Sequence, residues 1–297
     1  MSYNEFTEVL KQQVSDTLGP GFAVTSRNVI KNNSVEYVCL VINKEGSMIA
    51  PGIYLNGFYL EHLNGKSMEE IALNIVDIYN QHGDFGKDGL CELIHTENAI
   101  SRIVVRLVNY EKNIERLNAC PHERVQDLAV TYHYLLSNVK DGLASIRIDD
   151  ENCSFFGVSP EEMKKHALEN TEKFFAPDFV RLDDMLSKLS GVPLPPFEST
   201  PLYVLSNKDR YYGATSLLYN KILERIQQTL GTGFYILPSS VNEVLILPDG
   251  SGMDEEFLSD MVRSVNREQV PDTDVLSDRI YHYPEDSFTL PEQVLPE

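Results

Sequence analysis

Two short stretches of similar sequence decide the expected fold, Leu18-Gly19-Pro20-Gly21-Phe22 and Leu230-Gly231-Thr232-Gly233-Phe234. Each follows a segment with the apolar spacing of a one-sided helix and precedes a segment rich in β-forming residues. Glycine commonly follows the last residue of a helix, so Gly19 and Gly231 are predicted helix stops. A phosphate-binding glycine loop has the reverse order, strand then helix, so the repeated phrase predicts duplicated architecture and not a nucleotide site.

The first copy lies in a predicted α-β-β-α unit over residues 1–95. A helix ending at Leu18 is followed by β-rich runs at 22–30 and 35–42, which residues 31–34 join into a hairpin. Residues 49–59 are predicted to add an edge strand, because Pro51 cannot donate to a central ladder. Ser67-Met68-Glu69-Glu70 is a capping box that begins the closing helix.

The second copy lies in a predicted unit over residues 202–283 with the same order of elements. Its helix ends at Leu230, its strands are 234–237 and 244–247, and its last helix covers 253–265. Phe257, Met261 and Val265 are predicted to face inward from that helix. Helix-glycine-strand is also a common junction that arises by chance, but the agreement of both flanks favours a structural repeat.

The region between the units, residues 96–190, is predicted to be a central segment of helix, β-hairpin and helix. Residues 100–108 are predicted helical, with a strand as the alternative, and the hairpin pairs 128–136 with 144–148 across Lys140-Asp141-Gly142. Ser159 and Pro160 begin a helix that runs to about Phe174.

Two further segments complete the predicted organisation. Four prolines in residues 191–201 predict a stiff linker, and residues 284–297 predict an acidic mobile tail. The fold class is therefore α+β, with two α-β-β-α units flanking a central β-hairpin plus helix segment.

Composition restricts the function classes. The 297 residues are 42% hydrophobic and 24% charged, which is typical of a globular protein, and the net charge is −20. Such a charge repels phosphate backbones and anionic lipids, so neither nucleic acid nor a membrane is an expected partner. The first residues do not resemble a signal peptide, and the four cysteines have no C-x-x-C spacing, so a cytoplasmic location with reduced thiols is predicted.

The acidic charge is concentrated at the C-terminal end. From Gly252 to Glu297 there are twelve acidic residues and three arginines. This pattern is typical of a solvated acidic face, and the sharper alternative is a surface that docks a basic protein or imitates DNA.

The densest group of potential acid–base or metal-binding residues is His122, Glu123 and Asp127, with Asp149 and Asp150 downstream. The spacing lacks the pair of histidines that makes H-E-x-x-H a zinc signature, so a simple turn is the competing interpretation. Asp149 and Asp150 either hold Mg²⁺ or form an acidic turn. No metal site, cofactor or confident catalytic residue is predicted.

Two other groups are candidates for binding. Ser239, Ser240, Asn242 and Glu243 form a polar turn that either presents hydroxyls to a ligand or only closes a hairpin. Arg102 and Arg106 share a face at helical spacing, within a locally basic region that also holds Arg116 and Arg124. They either bind an anion, such as the acidic tail, or make ordinary surface pairs.

Short segments spread over most of the chain resemble an uncharacterised bacterial family, domain of unknown function 5688 (DUF5688). They are Asn109-Tyr110-Glu111-Lys112-Asn113, Pro121-His122, Asp127-Leu128-Ala129-Val130, Glu169-Asn170-Thr171, Tyr203-Val204-Leu205-Ser206-Asn207, Gly213-Ala214, Tyr235-Ile236-Leu237-Pro238-Ser239-Ser240, Glu243-Val244, Val265-Asn266-Arg267 and Val275-Leu276-Ser277-Asp278. The resemblance implies family membership but no activity, cofactor or catalytic residue.

Together these observations predict a non-enzymatic cytoplasmic binding or regulatory protein whose partner is another protein. A metal-assisted hydrolase that uses the His122, Glu123 and Asp127 region is the alternative. An acidic DNA mimic or inhibitor is a weaker alternative.

Overall fold

The computed structural model describes residues 1–45, 52–82, 96–136, 145–151, 153–193 and 201–288. They form helices and antiparallel sheets, which confirms the α+β class. The chain divides into two compact units, Met1–Lys31 with Val35–His95, and Asn32–Ser34 with Thr96–Glu297. Among the described helices, none combines the length and the apolar character needed to cross a bilayer.

The first unit packs helices on one face of a three-stranded antiparallel sheet. Its elements are α1 (Tyr3–Leu18), β1 (Phe22–Ile30), β2 (Glu36–Lys44), β3 (Gly52–Tyr54), α2 (Asn56–Leu63) and α3 (Met68–His82). The predicted hairpin is confirmed, with Phe22 opposite Lys44 and Ile30 opposite Glu36. The buried core includes Phe6 and Leu10 of α1, Leu40 and Ile42 of β2, and Ile71 and Ile75 of α3.

Local sequence explains where the helices of this unit begin and end. Ser2 and Glu5 form a capping box at the start of α1, and Gly19 ends that helix with a φ of 76°. The capping box of Ser67 and Glu70 begins α3 as predicted. The predicted strand over 49–59 is only partly correct, because β3 ends at Tyr54 and α2 then begins at Asn56, while residues 46–51 lie outside the described residues.

The second unit contains two antiparallel sheets. Its helices are α4 (Ile114–Leu117), α5 (Pro160–Phe174), α6 (Leu182–Ser190), α7 (Ile222–Leu230) and α8 (Glu255–Gln269). Its strands are β4 (Ile103–Asn109), β5 (His122–Val125), β6 (Leu128–Leu135), β7 (Ser145–Arg147), β8 (Pro177–Arg181), β9 (Tyr203–Asn207), β10 (Phe234–Leu237), β11 (Val244–Pro248) and β12 (Tyr281–Tyr283).

The strands of the second unit are ordered β12-β10-β11-β9-β8 in the five-stranded sheet. In the four-stranded sheet, β6 pairs with β4 along one edge. Along its other edge β6 pairs first with β5 and then with β7. Strands β8 and β9, on either side of the predicted linker, pair directly with each other. Residues 194–200 of that linker, the turn at Lys140-Asp141-Gly142 and residues 289–297 of the predicted tail lie outside the described residues.

The predicted helix over residues 100–108 is wrong, because residues 103–109 form strand β4. All seven residues of β4 are buried, so both faces of the strand are covered. A strand buried on both faces lacks the alternation of polar and apolar residues that identifies a half-exposed strand. The apolar residues of β4 therefore also fit the spacing of a one-sided helix.

The predicted inward face of the last helix, α8, is wrong for Phe257 and Val265, whereas the third predicted residue, Met261, is partly buried and packs against the core. Phe257 and Val265 are 56% and 38% exposed, while Leu258, Val262 and Asn266 face the core. Asn266 is buried because its side chain donates to the carbonyl of Ser277 at 2.8 Å. A polar residue at that position concealed the true inward stripe.

The free edge of β4 is covered by side chains in place of another strand. The N–H of Val105 donates to Thr171 Oγ1 at 2.8 Å, and the N–H of Leu107 donates to Thr215 Oγ1 at 3.2 Å. Both threonines are buried, so these bonds satisfy donors that water cannot reach. The backbone on both sides of Arg106 is thereby fixed.

Candidate functional site

One face of the four-stranded sheet carries basic and polar side chains. Directly opposed residues of antiparallel strands share a face, and Thr131 lies opposite Arg106 on one side and His122 on the other. His133 lies opposite Arg147. Because Thr131 and His133 are two residues apart on β6, they point the same way, and all five side chains lie on one face of the sheet.

Arg106 lies at the centre of this face and is only 7% exposed. Its Nη2 donates to Ser145 Oγ at 2.6 Å and to the hydroxyl of Tyr211. Its guanidinium carbon lies 4.9 Å from the ring centroid of Tyr211 and 3.9 Å from that of Tyr212. Cation–π contact of this kind stabilises a desolvated guanidinium.

The charge of Arg106 is not neutralised within the described part of the chain. Its side-chain hydrogen bonds go to two hydroxyls, and no carboxylate of a described residue forms an ion pair with it. The Nε and Nη1 donors, three N–H groups, make no hydrogen bond to a described residue. Buried charges in proteins are ordinarily paired, so this arrangement requires an explanation.

Two further arginines contribute positive charge. Burial lowers the pKa of the half-buried Arg116 on α4, and the nearby charge of Arg147 lowers it further. Within the described part of the chain, the hydrogen bond of Arg116 is a long one, 3.4 Å from Nη1 to Asn113 Oδ1. A guanidinium nevertheless stays protonated near neutral pH, so Arg116 carries a full charge.

His133 is buried among these cations. Its Nε2 lies 3.1 Å from Thr131 Oγ1. Burial pushes the pKa of His133 well below its ordinary value, and the charges of Arg106, Arg147 and Arg116 act in the same direction. His133 is therefore neutral at pH 7. We call this group the arginine site, and it consists of Arg106, Arg116, His133, Arg147, Tyr211 and Tyr212.

A strained loop positions the two tyrosines. Arg210 and Tyr212 have positive φ angles of 52° and 49°, which non-glycine residues rarely adopt. The side chain of Asn207 makes two hydrogen bonds with the backbone of Tyr211. Its Oδ1 accepts from the Tyr211 N–H at 3.2 Å, and its Nδ2 donates to the Tyr211 carbonyl at 2.8 Å. Asn242 Oδ1 accepts from the N–H of Tyr212 at 3.2 Å. Backbone strain held in place by such bonds is concentrated at functional sites in proteins.

The next residue, Gly213, permits the loop to pack closely. A Cβ atom on Gly213 would lie 2.1 Å from Ser206 Oγ and 2.4 Å from the carbonyl oxygen of Asn242. Ser206 itself is fully buried and donates to that carbonyl at 2.7 Å. Only glycine fits at this position without displacing the groups behind the tyrosines.

The predicted metal or acid–base residues do not converge. His122 and Glu123 are neighbours on β5, so they point to opposite faces of the sheet. His122 Nδ1 lies 3.0 Å from the carbonyl oxygen of Cys120, while Glu123 accepts a hydrogen bond from the hydroxyl of Tyr132. Across the described ranges, no group of three or more His, Cys, Asp and Glu side chains is placed to hold a metal ion.

Asp127 accepts hydrogen bonds from Ser277 Oγ at 2.6 Å and from the hydroxyl of Tyr281 at 2.5 Å. Both of those residues are buried, so the carboxylate of Asp127 has a structural role. Asp149 and Asp150 follow β7 and lie near Cys120. Burial raises the pKa of the Cys120 thiol, the charges of Arg147 and Arg116 lower that pKa, and the charges of Asp150 and Asp149 raise it.

The predicted polar turn, residues 239–243, contacts the loop that carries the two tyrosines of the arginine site. Ser240 Oγ accepts from the N–H of Asn242 at 2.9 Å, and the carbonyl of Ser239 accepts from Leu276. Asn242 Oδ1 accepts the hydrogen bond from the N–H of Tyr212, and Glu243 Oε2 lies 3.9 Å from Arg210 Nη1 in the same loop. These bonds use the polar groups of the turn to fix the loop.

Of the two arginines proposed together, only Arg106 is part of the site. Arg102 precedes β4, and its Nε donates to the carbonyl of Leu135 at 3.1 Å. His133, Arg147 and the two tyrosines were not identified from the sequence as site residues. The available signal was the alternation of polar Thr131 and His133 within an otherwise apolar strand.

The model of DUF5688, a family of unknown function, matches residues 3–285. The match includes every residue of the arginine site. No curated protein and no solved structure matches the chain. The comparisons therefore assign a family, and the chemistry has to be inferred from the site itself.

Proposed function

We propose that this chain, which belongs to the DUF5688 family, is a non-enzymatic cytoplasmic protein that binds an anionic group of a partner protein at the arginine site. The observation that carries the proposal is the environment of Arg106. Arg106 is 7% exposed, its guanidinium carbon lies over the rings of two tyrosines, and among the described residues its side chain donates hydrogen bonds to two hydroxyls. An anion satisfies its remaining donors and compensates its charge.

The charge of the whole protein favours a single anionic group over a polyanion. The net charge of −20 repels nucleic acid at long range, whereas the arginine site attracts one group at short range. Acidic residues are abundant, yet no described one pairs with Arg106. The site is therefore suited to an anion supplied by another molecule.

The chemistry of the site supports binding as its role. Guanidinium groups stay protonated at neutral pH and bind carboxylate and phosphate oxygens through a rigid fork of N–H donors. The described cysteines Cys39, Cys120 and Cys153 are free thiols, which fits the reducing conditions of the cytoplasm.

Thermal unfolding with sulfate as the probe tests the site. We expect sodium sulfate to raise the melting temperature of the wild type more than sodium chloride of equal ionic strength. The excess should disappear in Arg106→Met and persist in the control Arg263→Met, which changes an exposed arginine of α8. Comparison between variants removes the general stabilisation by sulfate.

Arg116→Gln provides a second variant if Arg106→Met fails to fold, because Arg116 is only half-buried. An equal sulfate effect in the wild type and in a folded site variant would show that the anion binds elsewhere. That result would overturn the proposal.

Affinity capture from native lysate tests the partner. The wild type should retain a protein that sulfate releases and that Arg106→Met does not retain. Capture of the same proteins by the wild type and the variant would place the partner surface away from the arginine site.

A further inference from the structure

We infer that the exposed side of α8 is a docking surface for a basic amphipathic helix of a partner protein. The surface consists of Phe257, Met261 and Val265 with the acidic residues beside them, and we call it the α8 stripe. It shares no residue with the arginine site, so the inference goes beyond the proposed function.

The apolar residues of α8 form two stripes. Leu258 and Val262 are buried in a hydrophobic cluster of the second unit. Phe257, Met261 and Val265 recur every four residues, so they follow one another along a neighbouring side of the helix. Phe257 is 56% exposed and Val265 is 38% exposed, while Met261 is partly buried. Packing against the sheet therefore accounts for the first stripe and for only part of the second.

An exposed stripe of this kind differs from scattered apolar residues on a surface. A single exposed apolar side chain is normal in a globular protein. A helix that only covers a sheet carries charged and polar residues on the side opposite the core. Helix α8 instead continues its apolar surface out of the core, and Met253, just before the helix, extends the four-residue spacing with another exposed side chain. Exposed apolar residues that adjoin one another and are rimmed by polar ones mark protein interaction sites.

The charges beside the stripe select a basic partner. Helix α8 and its N-cap residue carry five acidic residues and two arginines, which are Asp254, Glu255, Glu256, Asp260, Glu268, Arg263 and Arg267. Asp260 pairs with Arg263 at 3.2 Å, and Glu268 pairs with Arg267 at 3.0 Å, so the arginines compensate only two of the acids. Glu256 makes no hydrogen bond or ion pair with a described residue. The surface therefore attracts lysines or arginines of a partner.

The geometry of the stripe favours a helix as the bound element. Helix α8 has 15 residues and is therefore about 22 Å long. Side chains four residues apart form a ridge, and such a ridge packs into the groove between the ridges of a second helix. A partner helix with apolar residues on one side and basic residues on its flanks covers the stripe and pairs with its acids.

Two other occupants fit the charges less well. A second copy of the chain would place one acidic α8 against another, between two molecules that each have a net charge of −20. An anionic lipid surface is repelled in the same way. The acidic surroundings therefore favour a basic partner over both.

Fluorescence anisotropy with the full chain and labelled peptides tests the inference. The basic peptide is about 16 residues long, close to the length of α8, and contains leucines on one helical face and lysines elsewhere. The acidic peptide replaces every lysine with glutamate, and the scrambled peptide has the composition of the basic peptide without an apolar face. At pH 7.5 and low salt, we expect the basic peptide to bind with a Kd of about 1–100 μM, because one helix face buries less area than a standard interface. The scrambled peptide should bind at least about tenfold more weakly, and the acidic peptide should not bind.

Substitutions in the stripe are compared with a matched substitution elsewhere. Phe257→Ser should weaken binding of the basic peptide at least about tenfold, because it removes the aromatic side chain of the stripe. Leu60→Ser, at a residue of α2 that is 61% exposed, is the control and should leave the affinity unchanged. If Phe257→Ser is unfolded by circular dichroism, Val265→Ser takes its place with the same expected direction.

The acidic residues are tested separately. Glu256→Gln combined with Asp260→Asn should weaken binding of the basic peptide about threefold or more, because both charges lie beside the stripe. Glu36→Gln combined with Glu69→Gln removes the same number of charges from exposed positions of the first unit and should have a smaller effect. An equal loss in both double variants would show that only the net charge matters, which would overturn the assignment to α8.

The remaining outcomes decide what occupies the stripe. No binding of the basic peptide, or equal binding of the scrambled or the acidic peptide, would overturn the inference. A dimer that sedimentation velocity detects in the wild type and not in Phe257→Ser would assign the stripe to a second copy. Binding to phosphatidylcholine vesicles that Phe257→Ser abolishes would assign it to a lipid surface, and either result would overturn a partner helix. Arg106→Met should bind the basic peptide like the wild type, because the two surfaces share no residue.

Discussion

The guanidinium carbon of Arg106 lies 3.9 Å from the centre of the Tyr212 ring, although the two residues are supplied by different sheets of the second unit. Arg106 belongs to β4 of the four-stranded sheet, and Tyr212 follows β9 of the five-stranded sheet. The contact therefore depends on how these two sheets are held together within that unit. The positive φ of Tyr212, 49°, shows that its loop is kept in an unfavourable conformation at this contact.

Gly213→Ala should destabilise the protein and weaken anion binding. The new Cβ would approach Ser206 Oγ and the carbonyl of Asn242 to 2.1 and 2.4 Å, so the loop that carries Tyr212 must move. We expect a loss of about 1–3 kcal/mol of unfolding free energy, as for other overpacked positions, measured by urea denaturation.

Gly57→Ala is the matched control for that substitution. Gly57 lies in α2, its φ is not in the left-handed region, and no heavy atom lies within 4 Å of its added Cβ. Alanine should be neutral or stabilise the helix by up to about 1 kcal/mol. Equal effects at both glycines would show that the close packing behind the tyrosines has no energetic consequence.

Tyr212→Leu should weaken anion binding by removing the ring that faces Arg106. A desolvated cation–π contact contributes about 0.5–2 kcal/mol, so affinity for the anion should fall between about twofold and thirtyfold. Calorimetry with sodium sulfate provides the measurement. Tyr54→Leu is the control, because Tyr54 is a more exposed residue that contacts Lys31 at 4.0 Å in the first unit. A loss of affinity in Tyr54→Leu as large as in Tyr212→Leu would exclude a specific role for the Arg106 contact.

The sequence predicted the elements whose signals are local. Ser159 and Pro160 marked the start of α5, and the glycines after α1 and α7 marked their ends, because capping and left-handed φ act within a few residues. The sequence did not distinguish β4 from a helix, since burial on both faces depends on tertiary packing. It also identified Arg106 only as one member of a predicted helical pair.

Apart from Arg116, which the sequence already placed in the same basic region, the other residues of the arginine site could not be predicted because they are distant from Arg106 in the chain. Tyr211 follows Arg106 by 105 residues, yet its hydroxyl accepts from that arginine. Arg147 is brought beside His133 by strand pairing, which short segments do not specify. His122, Glu123 and Asp127 were predicted as a group because they are close in sequence, but alternation along β5 directs His122 and Glu123 to opposite faces of the sheet.

Asp127→Asn should destabilise the protein, because Asp127 has a structural role. The carboxylate accepts from two buried hydroxyls, those of Ser277 and Tyr281, and an amide cannot accept both bonds as well. We expect a loss of about 1–3 kcal/mol, measured by denaturant unfolding. Asp272→Asn, at an exposed position, should change stability by less than about 0.5 kcal/mol. Unchanged stability in Asp127→Asn would contradict a structural role.

His133 should make the protein less stable in acid. Burial lowers its folded-state pKa, followed by the charges of Arg106, Arg147 and Arg116, whereas the unfolded chain titrates near about 6.5. Its contribution is therefore fully present above pH 6.5 and is lost as pH falls from about 6.5 toward the folded-state value. The unfolding free energy of His133→Gln should fall less steeply between pH 7 and pH 5 than that of the wild type. Parallel curves would contradict a buried neutral histidine.

His282 should have the opposite effect on the alkaline side. Burial lowers its pKa, but hydrogen bonds with Asp249, at 2.8 Å from Nε2, and with Glu285 outweigh burial and raise it. Because the folded-state pKa is the higher one, the stability that His282 contributes is complete below about pH 6.5 and is lost as pH rises through the folded-state value. His282→Gln should therefore be less stable than the wild type at pH 6, and the difference should shrink by pH 9. A difference that stays constant over this range would show that the charge of His282 does not stabilise β12. Because the two histidines respond in opposite directions, a double variant should have a flatter stability profile than either single variant.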